Sequence, residues 1–197
     1  MTLKTSYTLI APLYDLAIER ATRAARRASL AQLPTEPARV LINGVGTGLD
    51  LPLLPQQHQY VGLDLTAAML RRALPRGGGL DFRPVLGNVQ ALPFADAGFD
   101  HAVLHLILAV VPDPDAGLAE VARVVRPGGT VLVFDKFLRT GQPAPLRRLA
   151  NPLLRRIATR LDVVFEEMLG RRPELRLESD QPALASGWFR LIRLRRV

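Results

Sequence analysis

Val40-Leu41-Ile42-Asn43-Gly44-Val45-Gly46-Thr47-Gly48, followed after a short apolar stretch by Tyr60-Val61-Gly62-Leu63-Asp64, decides the reading of this chain. An apolar strand feeds a loop with glycine at every second position, and a second strand ends in a carboxylate. Glycine lacks Cβ, tolerates positive φ and lets a ligand lie against the backbone. In an open α/β sheet such a loop stands at the carboxyl end of the strands, where ligands bind. A dinucleotide site wants G-x-G-x-x-G, whose helix N-terminus faces a pyrophosphate. Here the pattern is G-x-G-x-G, and Leu49 stands where the dinucleotide pattern has its last glycine. That spacing favours a ribose-bearing cofactor without phosphate, S-adenosylmethionine. Asp64 lies twenty residues past Gly44, and its two acceptor oxygens suit the two ribose hydroxyls. The competing reading is an ordinary strand-to-helix turn with Asp64 merely ending a strand.

Working outward, strands and helices alternate. The segment Leu13 to Leu33 reads as a helix rich in alanine and arginine. Arg20, Arg23 and Arg27 share one face by i, i+3, i+7 spacing, and Leu13, Leu16, Ala17, Ala21, Ala24 and Ala28 share another. Strands are expected at Arg39–Asn43, Tyr60–Asp64, Leu80–Leu86 and Phe99–Leu106, the last an apolar run of the kind buried on both faces of a parallel sheet. Thr66 is placed to cap a helix through Met69 and Arg72, and a second helix spans Ala116 to Val125. Arg126-Pro127-Gly128-Gly129 ends that helix and turns into a fifth strand, Thr130 to Asp135. Two basic helices, Pro145–Arg160 and Asp162–Leu169, and two closing strands, Leu175–Leu177 and Trp188–Leu194, complete the pattern. The fold class is α/β, a Rossmann-like doubly wound seven-stranded sheet, mostly parallel with an antiparallel edge strand, flanked by helices.

The 197 residues suit a single domain: an N-terminal helical lid over 1–36, a cofactor-binding core over 37–136, and substrate-side helices with closing strands over 137–197. There is no cysteine, which excludes disulfides and thiolate metal sites, and no metal site is expected. Neither a long apolar run nor a charged-then-apolar N-terminus is present, which points to a cytoplasmic protein. Net charge is +8, almost all from arginine, since Lys4 and Lys136 are the only lysines. Such a surface suits phosphate-bearing partners, an anionic membrane face or nucleic acid, although a compositional bias toward Ala, Pro, Gly, Leu and Arg explains it equally well.

Further pieces fall in a fixed order: Tyr14-Asp15, the glycine loop, Gly62-Leu63-Asp64 with Met69-Leu70, Gly87-Asn88-Val89-Gln90-Ala91-Leu92-Pro93-Phe94, Phe99-Asp100, Glu120 with Arg123, and Arg126-Pro127-Gly128-Gly129. In that order the chain resembles the class I S-adenosylmethionine-dependent methyltransferases of the methyltransferase-11 domain type. Within them it is similar to the group holding quinone-biosynthesis C-methyltransferases and bacterial phosphatidylethanolamine N-methyltransferases. The resemblance covers roughly residues 7 to 135. It implies that Gly44, Val45, Gly46, Thr47 and Gly48 lie along the cofactor, that Asp64 binds the ribose, and that Leu65, Met69 and Val89 help enclose it. Asn88 stands where the family has an aspartate accepting from the adenine amino group, and its side-chain oxygen retains that capacity. Asn43 replaces an acidic residue common before the loop. Tyr14 is a lid residue by resemblance, with Tyr7 a weaker candidate.

Methyl transfer is an in-line displacement in which the protein aligns the nucleophile, excludes water and, for some acceptors, removes a proton. His105, ending the fourth strand, is the candidate general base or orienting group, and Tyr14 the other candidate catalytic residue; packing is the alternative for each. His101 and His58 read as structural, and Asp135 and Lys136 either meet a substrate or pair with each other. Arg147, Arg148, Arg155, Arg156 and Arg160 over the acceptor side, with the N-terminal helix, suit peripheral association with an anionic membrane at its inner face. The acceptor reading is a lipid-like amine such as phosphatidylethanolamine. Alternatives are a quinol or other small metabolite methylated at C or O, an RNA methyltransferase or basic nucleic-acid-binding module, and a non-catalytic cofactor-binding protein. The chain lacks the interleaved aromatic and basic residues of a nucleic-acid surface, which argues against RNA.

Overall fold

The structure, a computed structural model, describes residues 19–141 and 162–197. Helix α1 occupies 19–30 of the described chain. It is followed by β1 (Arg39–Asn43), a 3-10 turn at Leu51–Leu53, β2 (Gln59–Asp64), α2 (Ala67–Arg76) and β3 (Asp81–Leu86). Then come β4 (Phe99–His105), α3 (Pro114–Val124), β5 (Val125–Lys136), α4 (Phe165–Gly170), β6 (Leu175–Leu184) and β7 (Phe189–Arg196).

The seven strands form one sheet in the order β3-β2-β1-β4-β5-β7-β6. β1 to β5 run parallel, and β7 enters antiparallel between β5 and β6. This is the doubly wound sheet that the alternating pattern predicts. One face packs Leu41, Leu63, Leu104 and Val133 against Leu118, Val121 and Ala122 of α3. The other packs Val40, Ile42, Val103 and Leu132 against Leu30 of α1 and Leu70 and Ala73 of α2. Full burial of each such side chain contributes about 1.5–3 kcal/mol. Pro84 is tolerated in β3 because that strand is the free edge.

Three expectations change. Arg126-Pro127-Gly128-Gly129 lies within β5 rather than before it, and the β4–β5 register jumps from Phe99↔Val125 to His101↔Thr130 across it. The chain bulges there because a Cβ on Gly129 would stand 2.4 Å from the Asp100 carbonyl oxygen. The first closing strand runs on from Leu177 to Leu184, and β6 with β7 forms a hairpin from Leu175 to Arg196. Finally, of the alanines in the described part of α1 only Ala25 is buried. Ala21, Ala24 and Ala28 are exposed, as are Arg20, Arg23 and Arg27, while Thr22, Ala25, Arg26, Ser29 and Leu30 face inward. Hydrophobic spacing fails here because the attachment of α1 is mostly polar. Leu13, Leu16 and Ala17, the helix expected over 145–160 and the arginines 147, 148, 155, 156 and 160 lie outside the described residues.

Candidate functional site

From β1 the sheet grows one way to β2 and β3, and from β4 the other way to β5. The β1–β4 boundary is therefore the topological switch point, and the crevice beyond its carboxyl edge is where an open α/β sheet binds ligands. The glycine loop leaves β1 at that point. Gly44 N–H and Val45 N–H both donate to the Leu63 carbonyl at 2.9 Å, which hangs the loop on β2.

The glycines serve different ends. Gly46 has φ 55°, and a Cβ on it would meet nothing within 4 Å, so its bare backbone borders open space. At Gly48, φ 84°, a Cβ would stand 2.9 Å from the Ala73 Cα, so this glycine lets α2 pack against the loop. Val45 is buried in the core and can meet a ligand only through its backbone. Arg76 of α2 donates to the Thr47 carbonyl at 2.8 Å and to its hydroxyl at 2.9 Å, which pins the far arm of the loop.

Asp64 ends β2 beside this loop. Its Oδ2 accepts from Gly46 N–H at 3.0 Å, and its Oδ1 accepts from the Thr66 N–H at 2.9 Å and hydroxyl at 3.2 Å. Thr66 thus orients the carboxylate and makes no side-chain capping bond to α2. Two carboxylate oxygens offer about four acceptor positions, so capacity remains for a ligand hydroxyl. Met69 lies in the first turn of α2 and is partly buried.

Leu65 is 55% exposed and Leu86 60% exposed, and both stand where β2 and β3 end side by side. Asn88 is exposed, with its side-chain oxygen accepting from Gln90 N–H at 3.0 Å, and Val89 is buried against the core. The loop that follows is clamped from α3. Glu120 accepts from Leu92 N–H at 2.6 Å, and Arg123 donates to the Leu92 carbonyl at 3.1 Å and the Phe94 carbonyl at 2.8 Å. The bond from Arg123 holds the Glu120 carboxyl below its ordinary range, against a smaller opposing effect of burial.

The opposite wall is the turn after β4. Ile107 fills the space where a Gly44 Cβ would stand, at 2.5 Å from its Cγ1. Asp135 of β5 accepts from Ala109 N–H at 3.0 Å and from Lys136 N–H at 2.8 Å. Burial pushes its carboxyl up. Asp135 therefore fixes that turn from within the core, and a direct role toward substrate is not what its bonds describe.

His105 differs most from its expected role. Its side chain is 1% exposed. Nδ1 lies 2.8 Å from Asp50 Oδ1 and Nε2 lies 2.9 Å from the Ser29 hydroxyl, so both ring nitrogens are engaged internally. Arg26 of α1 donates to the same Asp50 oxygen at 2.8 Å and to the Thr22 hydroxyl at 3.0 Å. Burial pushes the Asp50 carboxyl up, but His105 and Arg26 together outweigh it and hold the group well below the usual carboxylate range. The hydrophobic-face reading of α1 passed over Arg26, Ser29 and Asp50. The available signal was the helical spacing of the polar residues at 22, 26 and 29. Tyr14 and Tyr7 lie outside the described residues.

His101 accepts from Thr130 N–H at 3.1 Å, and burial lowers its pKa to about 4. It sits at the other end of β4, away from the crevice. His58 is also buried, edge-on to the Tyr60 ring at 5.8 Å.

These residues fit S-adenosylmethionine. A bare backbone at Gly46, the Asp64 carboxylate, and exposed leucines at 65 and 86 supply contacts for a ribose and a flat base. Both polar atoms of the Asn43 side chain are buried without a partner at the end of β1, a state that costs free energy unless something meets them. Among the described residues there is no group of three His, Asp or Glu side chains arranged for a metal.

Comparison with known proteins agrees. A methyltransferase domain family matches residues 41–133. A phosphatidylethanolamine N-methyltransferase of Cereibacter sphaeroides is 30% identical over 191 residues, covering 93% of this chain and 93% of that protein. A demethylmenaquinone methyltransferase of Desulfitobacterium hafniense is 38% identical over 84 residues, covering 41% of this chain and 33% of that one. Among solved structures, an S-adenosylmethionine-dependent methyltransferase from Thermotoga maritima superposes with a TM-score of 0.73 over 99% of this chain and 100% of that one, at 19% identity. The chain belongs to the class I S-adenosylmethionine-dependent methyltransferases.

Proposed function

We propose that the enzyme transfers a methyl group to the amine of a phospholipid, with phosphatidylethanolamine as the acceptor. The observation that carries this reading is the span of the likeness. The phosphatidylethanolamine enzyme aligns over 93% of both chains, whereas three demethylmenaquinone enzymes align over 41%, 64% and 66% of this one and a fatty-acid O-methyltransferase over 81% of this one and 61% of its own length.

When bound, the cofactor supplies an electrophilic methyl group on a sulfonium with a good leaving group. Asp64, oriented by Gly46 and Thr66, would hold the ribose, while Leu65, Leu86 and Asn88 would border the adenine. Asn43 and the loop backbone would meet the methionine end. The turn at 106–110, which Asp135 fixes through the Ala109 N–H, would stand between that end and water. His105 is committed to Asp50 and Ser29 and is poorly placed to remove a proton. An amine suits such a site, because its ammonium can lose a proton to solvent before attack and the free base is then nucleophilic, whereas a quinol carbon needs deprotonation during attack. We assign the lid to 1–36, the cofactor core to 37–136 and the acceptor side to 137–197, with Tyr14 as a lid residue.

Exposed Arg20, Arg23 and Arg27 on α1 favour an anionic surface. Among the described residues no helix is long and apolar enough to cross a membrane. A peripheral position on the inner membrane face is therefore part of the proposal. Labelled methyl donor offered with phosphatidylethanolamine in mixed micelles is expected to yield monomethylated lipid. Label appearing only in a quinol or RNA fraction would overturn the assignment. Sedimentation with vesicles containing anionic lipid is expected to carry the protein down at low salt, and retention in the supernatant would remove the membrane element.

A further inference from the structure

We infer that the buried chain Thr22–Arg26–Asp50–His105–Ser29 makes helix α1 part of the cofactor site, with Asp50 and His105 as positioning residues for the glycine loop. This rests on the loop being the place where the family's cofactor binds, and not on the identity of the acceptor. Asp50 lies two residues past Gly48, where the loop closes onto the 3-10 turn. Leu51 N–H donates to the Gly48 carbonyl at 3.1 Å, and Gly48 N–H to the Val45 carbonyl at 3.0 Å, so the backbone from 45 to 51 moves as one turn. Arg76 holds that turn from α2, and Asp50 holds it from the opposite side.

A carboxylate as buried as Asp50 persists only with its partners in place. Those partners come from two other elements: Arg26 from α1 and His105 from β4. The β4 end is itself held. Leu106, next to His105, adopts φ 58°, and its N–H donates to the Phe134 carbonyl at 2.7 Å, while the His105 ring stands edge-on to Phe134 at 5.7 Å. Leucine takes that backbone conformation only where its surroundings impose it. Among the described residues the apolar attachment of α1 is thin: Ala25 and Leu30 are its buried hydrophobic residues, with Leu33 just past its end, and its alanines at 21, 24 and 28 face outward. The polar chain is thus the specific fastening. Undocking α1 strips Arg26 from Asp50 and releases the loop. By linkage, a ligand that fixes the loop favours the docked helix.

Two substitutions of one residue separate the contacts. Asparagine at 105 places its amide nitrogen near the Nδ1 position and keeps the bond to Asp50. Glutamine reaches the Nε2 position and keeps the bond to Ser29. Calorimetry with S-adenosylmethionine is expected to find His105→Asn within about threefold of wild type and His105→Gln weaker by about tenfold, the size of one lost bond to a charged group. In the wild type, added S-adenosylmethionine is expected to slow amide exchange over 19–30 more than over α3, and His105→Gln is expected to reduce that protection. Equal affinity in both variants, or equal loss in both, overturns the assignment. So does wild-type exchange over 19–30 that ignores the cofactor, a result that stands even if His105→Gln fails to fold.

Discussion

His101 and His105 stand four residues apart on one face of β4 and serve opposite purposes. At the amino end of the strand, His101 accepts one backbone bond from Thr130, and burial keeps it neutral with a pKa of about 4. At the carboxyl end, His105 bonds a buried carboxylate and a helix hydroxyl. The amino edge uses its polar group to close a bulge between two strands. The carboxyl edge uses its polar groups to hold a loop whose backbone stays open at Gly46. One strand thus carries a packing histidine and a positioning histidine, and only the surroundings tell them apart.

The comparison breaks most visibly at Asp50. Asp50→Ala leaves Arg26 buried without its carboxylate and is expected to cost about 3–5 kcal/mol of stability in denaturant unfolding. A loss under about 1 kcal/mol would show that the carboxyl-edge network is decorative.

At the amino edge the test is pH. The folded His101 pKa of about 4 lies below the ordinary histidine value of 6.5. The unfolded chain therefore binds more protons between those values, and stability falls as pH drops through that window. Between pH 7 and pH 5 His101 alone should remove about 2 kcal/mol. His101→Gln is expected to flatten the fall measured by unfolding midpoints at the two pH values, and unchanged slopes would contradict the neutral packing role.

The smallest effect separates two glycines. Gly48→Ala drives a Cβ toward the α2 backbone and is expected to be less stable than Gly46→Ala by about 1 kcal/mol. Gly46→Ala, whose Cβ enters open space, is expected to lose more cofactor affinity than stability. The reverse ranking in melting and binding experiments would reverse the roles given to the two positions.

Much of this was legible in the chain. β1, β2, β4 and the glycine loop announce themselves because apolar runs buried on both faces, glycine spacing and a terminal carboxylate are local signals. Bulging of Arg126–Gly129 inside β5 was not local, since it depends on how β5 meets Asp100 of β4. The inward face of α1 is not legible for the same reason. Arg26 and Ser29 are buried only because Asp50 and His105, 24 and 76 residues away, come to meet them. Hydrophobic periodicity finds an apolar seam and passes over one made of ion pairs. Spacing in the sequence sets Asp64 beside the glycine loop as a whole, and in the structure Gly46 N–H donates to its carboxylate at 3.0 Å.

Titration calorimetry with S-adenosylmethionine tests the carboxyl-edge site most directly, run on wild type, Asp64→Ala and His101→Gln. Loss of a charged hydrogen-bond acceptor predicts about 10- to 100-fold weaker binding for Asp64→Ala. His101→Gln, at the opposite edge, is predicted to bind like wild type at pH 7. Wild-type affinity in Asp64→Ala, or a loss confined to His101→Gln, would contradict the placement of the cofactor at the switch point.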